Sequence, residues 1–176
     1  MKVEKLTPNI GAIIRNINLN KKISIELIEQ LKETFYSNLV IFIENQDLSP
    51  TKFIEFSKNF GELGAYPFVK GMDDFPEIVE VRKNKEEKIN FGGLWHTDTS
   101  YLPEPPASSM LYAVEIPPVG GDTLFSNMYL AYETLTPAYK AILSNLRGYN
   151  TSEKADAAVT RIHRIADSPK NTDRIK

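Results

Sequence analysis

Cysteine is absent from the 176 residues, which removes disulfides, thiolate metal sites, iron–sulfur clusters and cysteine nucleophiles together. Any metal held by this chain must therefore take nitrogen and oxygen ligands. Histidine is nearly as scarce, with two in the sequence, and there is one tryptophan. No apolar run approaches the roughly 20 residues of a membrane-spanning helix, and residues 1–7 lack the apolar core of a signal peptide. Excess charge of one sign is missing too. A formal net charge of −2 gives no electrostatic case for nucleic acid or for an anionic membrane as a partner. A cytoplasmic protein is the default expectation, and 41% hydrophobic with 10% aromatic residues suits a single globular domain over 1–176.

Both scarce residue types meet in residues 92–101, Gly-Gly-Leu-Trp-His-Thr-Asp-Thr-Ser-Tyr. His96 and Asp98 are two apart, so an extended backbone would send both side chains off the same face towards one point. An imidazole and a carboxylate converging there are two of the three ligands of a 2-His-1-carboxylate facial triad. That triad leaves the far side of Fe(II) open for a co-substrate and O2. H-x-D alone is a common tripeptide, and an exposed His or a turn Asp needs no metal. The surroundings add weight: Gly92 and Gly93 precede the motif and Pro103, Pro105 and Pro106 follow it, which describes a short strand entering a long irregular connection.

The flanking chain reads as a mixed α+β order. Residues 3–17 alternate apolar groups with Pro8, Gly11, Asn9 and Asn16, predicting short strands and turns. Ser24 caps a helix through about residue 36, with Ile25, Ile28, Leu31 and Phe35 on an inward face. The apolar run 39–43 predicts a buried strand. Ser49-Pro50 opens a second helix that carries Phe53, Phe56 and Phe60 inward and stops at Gly61. Residues 62–74 form a loop, and 76–82, 109–116 and 122–126 predict strands. Asn127 caps a helix through about residue 135, and Pro137 opens another through about residue 146. Short strands between Gly/Pro turns around H-x-D suggest a barrel or jelly roll with helices packed outside.

Four segments together, Ile10-Gly11-Ala12, Asn59-Phe60-Gly61-Glu62-Leu63, Trp95-His96-Thr97-Asp98-Thr99-Ser100-Tyr101 and Pro118-Val119-Gly120-Gly121-Asp122-Thr123-Leu124-Phe125, resemble the TauD/TfdA (taurine/2,4-D dioxygenase) family of Fe(II)/2-oxoglutarate-dependent oxygenases. The resemblance implies a double-stranded β-helix (jelly roll) core with flanking helices, Fe(II) held by His96 and Asp98, and 2-oxoglutarate touched by the Thr123 hydroxyl. Without it, Thr123 reads as a strand threonine. The implied reaction hydroxylates a C–H of a small, anionic organic substrate with O2, releasing succinate and CO2. Tyr66, Thr99 and Tyr101 are pocket residues by position. The taurine enzymes carry a sulfonate-binding His and Tyr where this chain has Tyr66 and Val69, and an asparagine where it has Gly92, so taurine itself is not the expected substrate.

The pattern departs from the family at its far end, where a distal His and an Arg that pairs with 2-oxoglutarate are expected. His163 lies between Arg161 and Arg164 without the neighbours of that motif, and nothing singles out Arg161, Arg164 or Arg174 as the carboxylate partner. The expectation is an N-terminal portion of a longer enzyme, its β-helix incomplete at the C-terminus and its uncovered apolar surface prone to association into homo-oligomers. Two alternatives stay open: a catalytically inactive fragment acting as a binding or interaction module, and a cupin-like metal enzyme that uses the His/Asp pair to activate water.

Overall fold

The computed structural model describes residues 1–64, 66, 69–86 and 92–152, in two compact units. The first comprises Met1–Asn59 and Tyr112–Arg147, the second Phe60–Leu111 and Gly148–Lys176.

In the first unit, β1 (Lys2–Lys5), β2 (Ala12–Arg15) and β3 (Ile41–Ile43) form a sheet in that order. β1 runs antiparallel to β2, with Val3 opposite Ile14, and β2 runs parallel to β3, with Ile13 opposite Phe42. A parallel pair needs a crossover, and α1 (Ile25–Asn38) supplies it, packing on β2 and β3. The core follows from this layering: Ala12 and Ile14 from the sheet, Ile28 and Leu31 from α1, and Leu19, Leu48 and Phe56 around them are buried. α2 (Pro50–Ser57) continues as a 3-10 turn over Lys58–Phe60, and two short helices, α3 (Met128–Glu133) and α4 (Pro137–Leu143), follow later in the chain.

Each helix begins where its local chemistry says it should. Ser24, Ser49, Asn127 and Thr136 each accept a hydrogen bond from a backbone N–H of the first turn, and Pro50 and Pro137 occupy positions whose missing N–H costs nothing. α1 ends with Leu39 at φ 66°, its N–H donating to the Phe35 carbonyl at 2.6 Å. Polar side chains then tie distant segments. The Gln46 amide donates to the carbonyls of Ile17 and Glu44 and accepts from the Leu19 N–H. Tyr112 accepts from the Leu48 N–H at 3.0 Å and packs its ring on Phe53.

Several expectations are corrected. Ile25 is 78% exposed because it sits at the first position of α1, where the inward face has not yet turned to the sheet. The strand expected over 39–43 begins at Ile41, since Leu39 caps the helix, and it is an edge strand with Phe42 exposed. Phe53 and Phe60 are only half-buried, and Phe56 alone of the three is buried. Residues 76–82, 109–116 and 122–126 run irregularly and enter no ladder among the described residues. A strand is defined by its hydrogen-bonded neighbour, so an apolar run predicts the residues of a strand without supplying its partner. The jelly roll of the sequence-based expectation is thus represented within the described residues by one three-stranded sheet.

In the second unit a tight turn brings the Met72 N–H onto the Ile78 carbonyl at 2.9 Å. A Cβ at Gly71 would stand 2.0 Å from the Pro76 carbonyl oxygen, so only glycine fits there.

Candidate metal centre

His96 and Asp98 do converge. The chain has no regular secondary structure at residues 95–97 and turns over 98–101, and His96 Nε2 stands 3.0 Å from Asp98 Oδ1. Asp98 is therefore not a second strand position, as the alternation argument required. The turn aims it, with Thr99 in the left-handed region at φ 46° and the Leu102 N–H donating to the Thr99 carbonyl at 3.0 Å.

The imidazole is oriented from behind. His96 Nδ1 lies 2.7 Å from the Leu94 carbonyl oxygen, and a carbonyl can only accept, so the proton is on Nδ1. Nε2 then presents a lone pair to a carboxylate oxygen 3.0 Å away. Two acceptors at that separation repel unless a positive centre, a proton or a metal ion, joins them. Two cis ligands bound at about 2.1 Å and at a right angle are about 3.0 Å apart, so the pair has the bite of adjacent positions on a six-coordinate divalent ion. With one nitrogen and one carboxylate oxygen as donors, the residues present fit Fe(II). Among the described residues no cluster of three or more His, Asp or Glu side chains forms. His163, Arg161, Arg164 and Arg174 lie outside the described residues.

The rest of the predicted site divides. Tyr66 and Tyr101, half-buried, share a hydrogen bond, and both feel the charge of Asp98. Burial pushes both phenols up; for Tyr101 the Tyr66 phenol and the Asp98 carboxylate add to it, while for Tyr66 the bond to Tyr101 works against it. Both therefore stay protonated, one O–H being used in the bond they share. Thr99 Oγ1 is buried without a hydrogen-bond partner. Thr123 belongs to the first unit, exposed in the irregular segment after Gly120 and Gly121, whose φ angles are 79° and 77°. Of the loop around Tyr66, residues 65, 67 and 68 lie outside the described residues.

Two partners escaped the sequence. Ser109 Oγ donates to Asp98 Oδ2 at 2.5 Å, and the Leu94 carbonyl holds His96. A serine beyond a proline-rich connection carries no mark of its use, and a backbone carbonyl carries none at all. Gly92 also gains a reason. At φ 69°, with a would-be Cβ 3.2 Å from His96 Cε1, it lets the imidazole lie against the chain.

An imidazole and a carboxylate arranged in this way are two donors of the kind a mononuclear N/O metal centre uses, and the wider chain can be compared with known proteins. Residues 2–174 match the model of the taurine catabolism dioxygenase TauD, TfdA family, and the chain belongs to that family. It is 29% identical over 154 residues to an alkylsulfatase of Acinetobacter baylyi, a match covering 87% of this chain and 48% of that protein. It is 29% identical to an alpha-ketoglutarate-dependent sulfonate dioxygenase of Saccharomyces cerevisiae, covering 93% and 45%. The crystal structure of a taurine dioxygenase from Burkholderia xenovorans superposes with a TM-score of 0.71 at 29% identity, covering 86% of this chain and 54% of that one. The chain thus spans about half the length of these relatives. Its relatives are alpha-ketoglutarate-dependent dioxygenases, and its structural neighbours are taurine dioxygenase-like proteins matched over about half of their length. No helix among the described residues is long and apolar enough to cross a membrane.

Proposed function

We propose that the protein, as one TauD/TfdA domain, is an Fe(II)/2-oxoglutarate-dependent dioxygenase that hydroxylates a small, anionic organic substrate. The observation that carries this is the pairing of His96 Nε2 with Asp98 Oδ1 at 3.0 Å while Nδ1 is tied to the Leu94 carbonyl. His96 and Asp98 would be adjacent ligands. Fe(II), when bound, supplies the redox chemistry that couples decarboxylation of 2-oxoglutarate to oxidation of a C–H bond. The Thr123 hydroxyl donates to a carboxylate oxygen of 2-oxoglutarate. Tyr66 and Tyr101, kept protonated by burial and by the neighbouring Asp98 charge, use one O–H in the bond they share and offer the other to an oxygen of an anionic headgroup. Thr99 Oγ1, buried and unpartnered, completes that set of donors. Sulfonates and alkyl sulfates suit such donors, in keeping with the names of the sulfonate dioxygenase and alkylsulfatase relatives.

The test is succinate formed from 2-oxoglutarate under air with Fe(II) and ascorbate, across a panel of alkyl sulfonates and alkyl sulfates. Substrate-stimulated succinate that His96→Ala and Asp98→Ala both abolish is the expected result. Turnover that survives His96→Ala would sink the proposal.

A further inference from the structure

We propose that Ser109 is a positioning residue that holds Asp98 to a single metal-binding oxygen. The inference rests on the metal-centre reading above and adds a residue that neither the H-x-D motif nor the family match points to. A carboxylate has two equivalent oxygens, and a divalent ion can take one or both. Here they are made unequal. Oδ1 faces His96 Nε2 at 3.0 Å, while Oδ2 accepts the Ser109 hydroxyl at 2.5 Å, the length of a charge-assisted O–H···O⁻ bond. A metal drawing in Oδ2 as well would have to break that bond. Keeping Oδ2 occupied leaves one more coordination position free for the co-substrate and O2, which an open facial site requires.

The connection delivers Ser109 economically. Pro103, Pro105 and Pro106 lie between Asp98 and Ser109, and each fixes its φ, so the 11-residue separation closes with less loss of chain entropy than a flexible loop would suffer. The motif is anchored on its other side as well, Ser100 Oγ donating to Asn150 Oδ1 at 3.1 Å. His96 and Asp98 are therefore served alike: each has one polar atom tied to an outer partner, Leu94 O or Ser109 Oγ, and one turned towards the common point. Ser109 is exposed, so its substitution probes the hydroxyl and not the packing of a core.

The only tryptophan, Trp95, adjoins His96 and reports metal binding directly. Co(II) is titrated into the protein while Trp95 quenching gives Kd and the visible Co(II) absorption gives coordination number. Loss of an outer-shell partner of a ligand costs about 10- to 100-fold in metal affinity. Ser109→Ala is expected to raise Kd by that factor and to change the Co(II) band as Oδ2 becomes free to bind, while Ser109→Thr, which keeps the hydroxyl, restores both. Parental Kd and spectrum in Ser109→Ala, with binding lost in His96→Ala, would overturn the role of Ser109 alone. Equal losses in the Ala and Thr variants would overturn it too, because the hydroxyl would then not be the cause. Saturable binding that survives His96→Ala removes the metal centre itself, and the role of Ser109 with it.

Discussion

Thr99 combines two unfavourable features at one residue. Its φ of 46° is a conformation a β-branched side chain rarely adopts, worth about 1–3 kcal/mol, and its Oγ1 is buried without a partner, worth about as much again. Glycine would remove both and return only about 0.5–1 kcal/mol through the greater freedom of the unfolded chain. Thr99→Gly is therefore expected to stabilise the protein by about 1 kcal/mol or more in urea unfolding, while raising the substrate KM if Oγ1 faces the anion. Stabilisation without any change in KM would assign the strain to the turn that aims Asp98. Gly92 is the converse case. Its φ of 69° is a conformation that glycine adopts without cost and that most side chains adopt only with strain. Gly92→Ala should destabilise by about 1 kcal/mol and weaken Co(II) binding, since its Cβ would meet His96 Cε1 at 3.2 Å and displace the imidazole. Unchanged Trp95 quenching in that variant would show that the ring does not depend on Gly92.

At the scale of elements, what could be read from sequence was what is local. Ser24, Ser49-Pro50, Asn127 and Pro137 announced four helices because a cap acts on its own first turn, and the ends fell within a few residues of expectation. The strands at 76–82, 109–116 and 122–126 were not readable as pairs, because a partner distant in sequence decides them. The site divided in the same way. The proximity of His96 and Asp98 in the sequence marked them as a pair, though a turn and not strand alternation brings them together, whereas Ser109 reaches Asp98 only through the folded connection. Asn127 shows one residue serving both levels. Its Oδ1 caps α3 on the Leu130 N–H at 2.9 Å, and its Nδ2 donates to the Asn9 carbonyl at 2.8 Å, 118 residues away. Asn127→Ala should cost about 2 kcal/mol, more than the roughly 1 kcal/mol of Ser49→Ala, which loses a cap only. Asn127→Asp, retaining the cap but placing a carboxylate against the Asn9 carbonyl, should recover little of the difference. Equal urea midpoints for the Asn127→Asp variant and the parental protein would show that the long-range bond contributes nothing.

For the whole molecule, the decisive quantity is apolar surface left in contact with water. Val114, Ile116, Val119 and Leu124, all from one stretch of the first unit, are 87%, 74%, 87% and 72% exposed. Burying such a side chain is worth about 1.5–3 kcal/mol, and monomeric proteins seldom leave several together in solvent. Covering even two of them on association would offset a large part of the rotational and translational cost of bringing two molecules together. The 176-residue chain is therefore expected to self-associate, its mean mass by sedimentation rising with protein concentration and further with sulfate, which strengthens apolar association. Val114→Glu with Val119→Glu should lower the mass at any given concentration while leaving Trp95 quenching by Co(II) intact, since neither position adjoins the metal motif in the chain. A monodisperse monomer across the whole concentration range, unfolding cooperatively in urea, would mean that these side chains are accommodated without a partner surface and that the exposed stretch drives nothing.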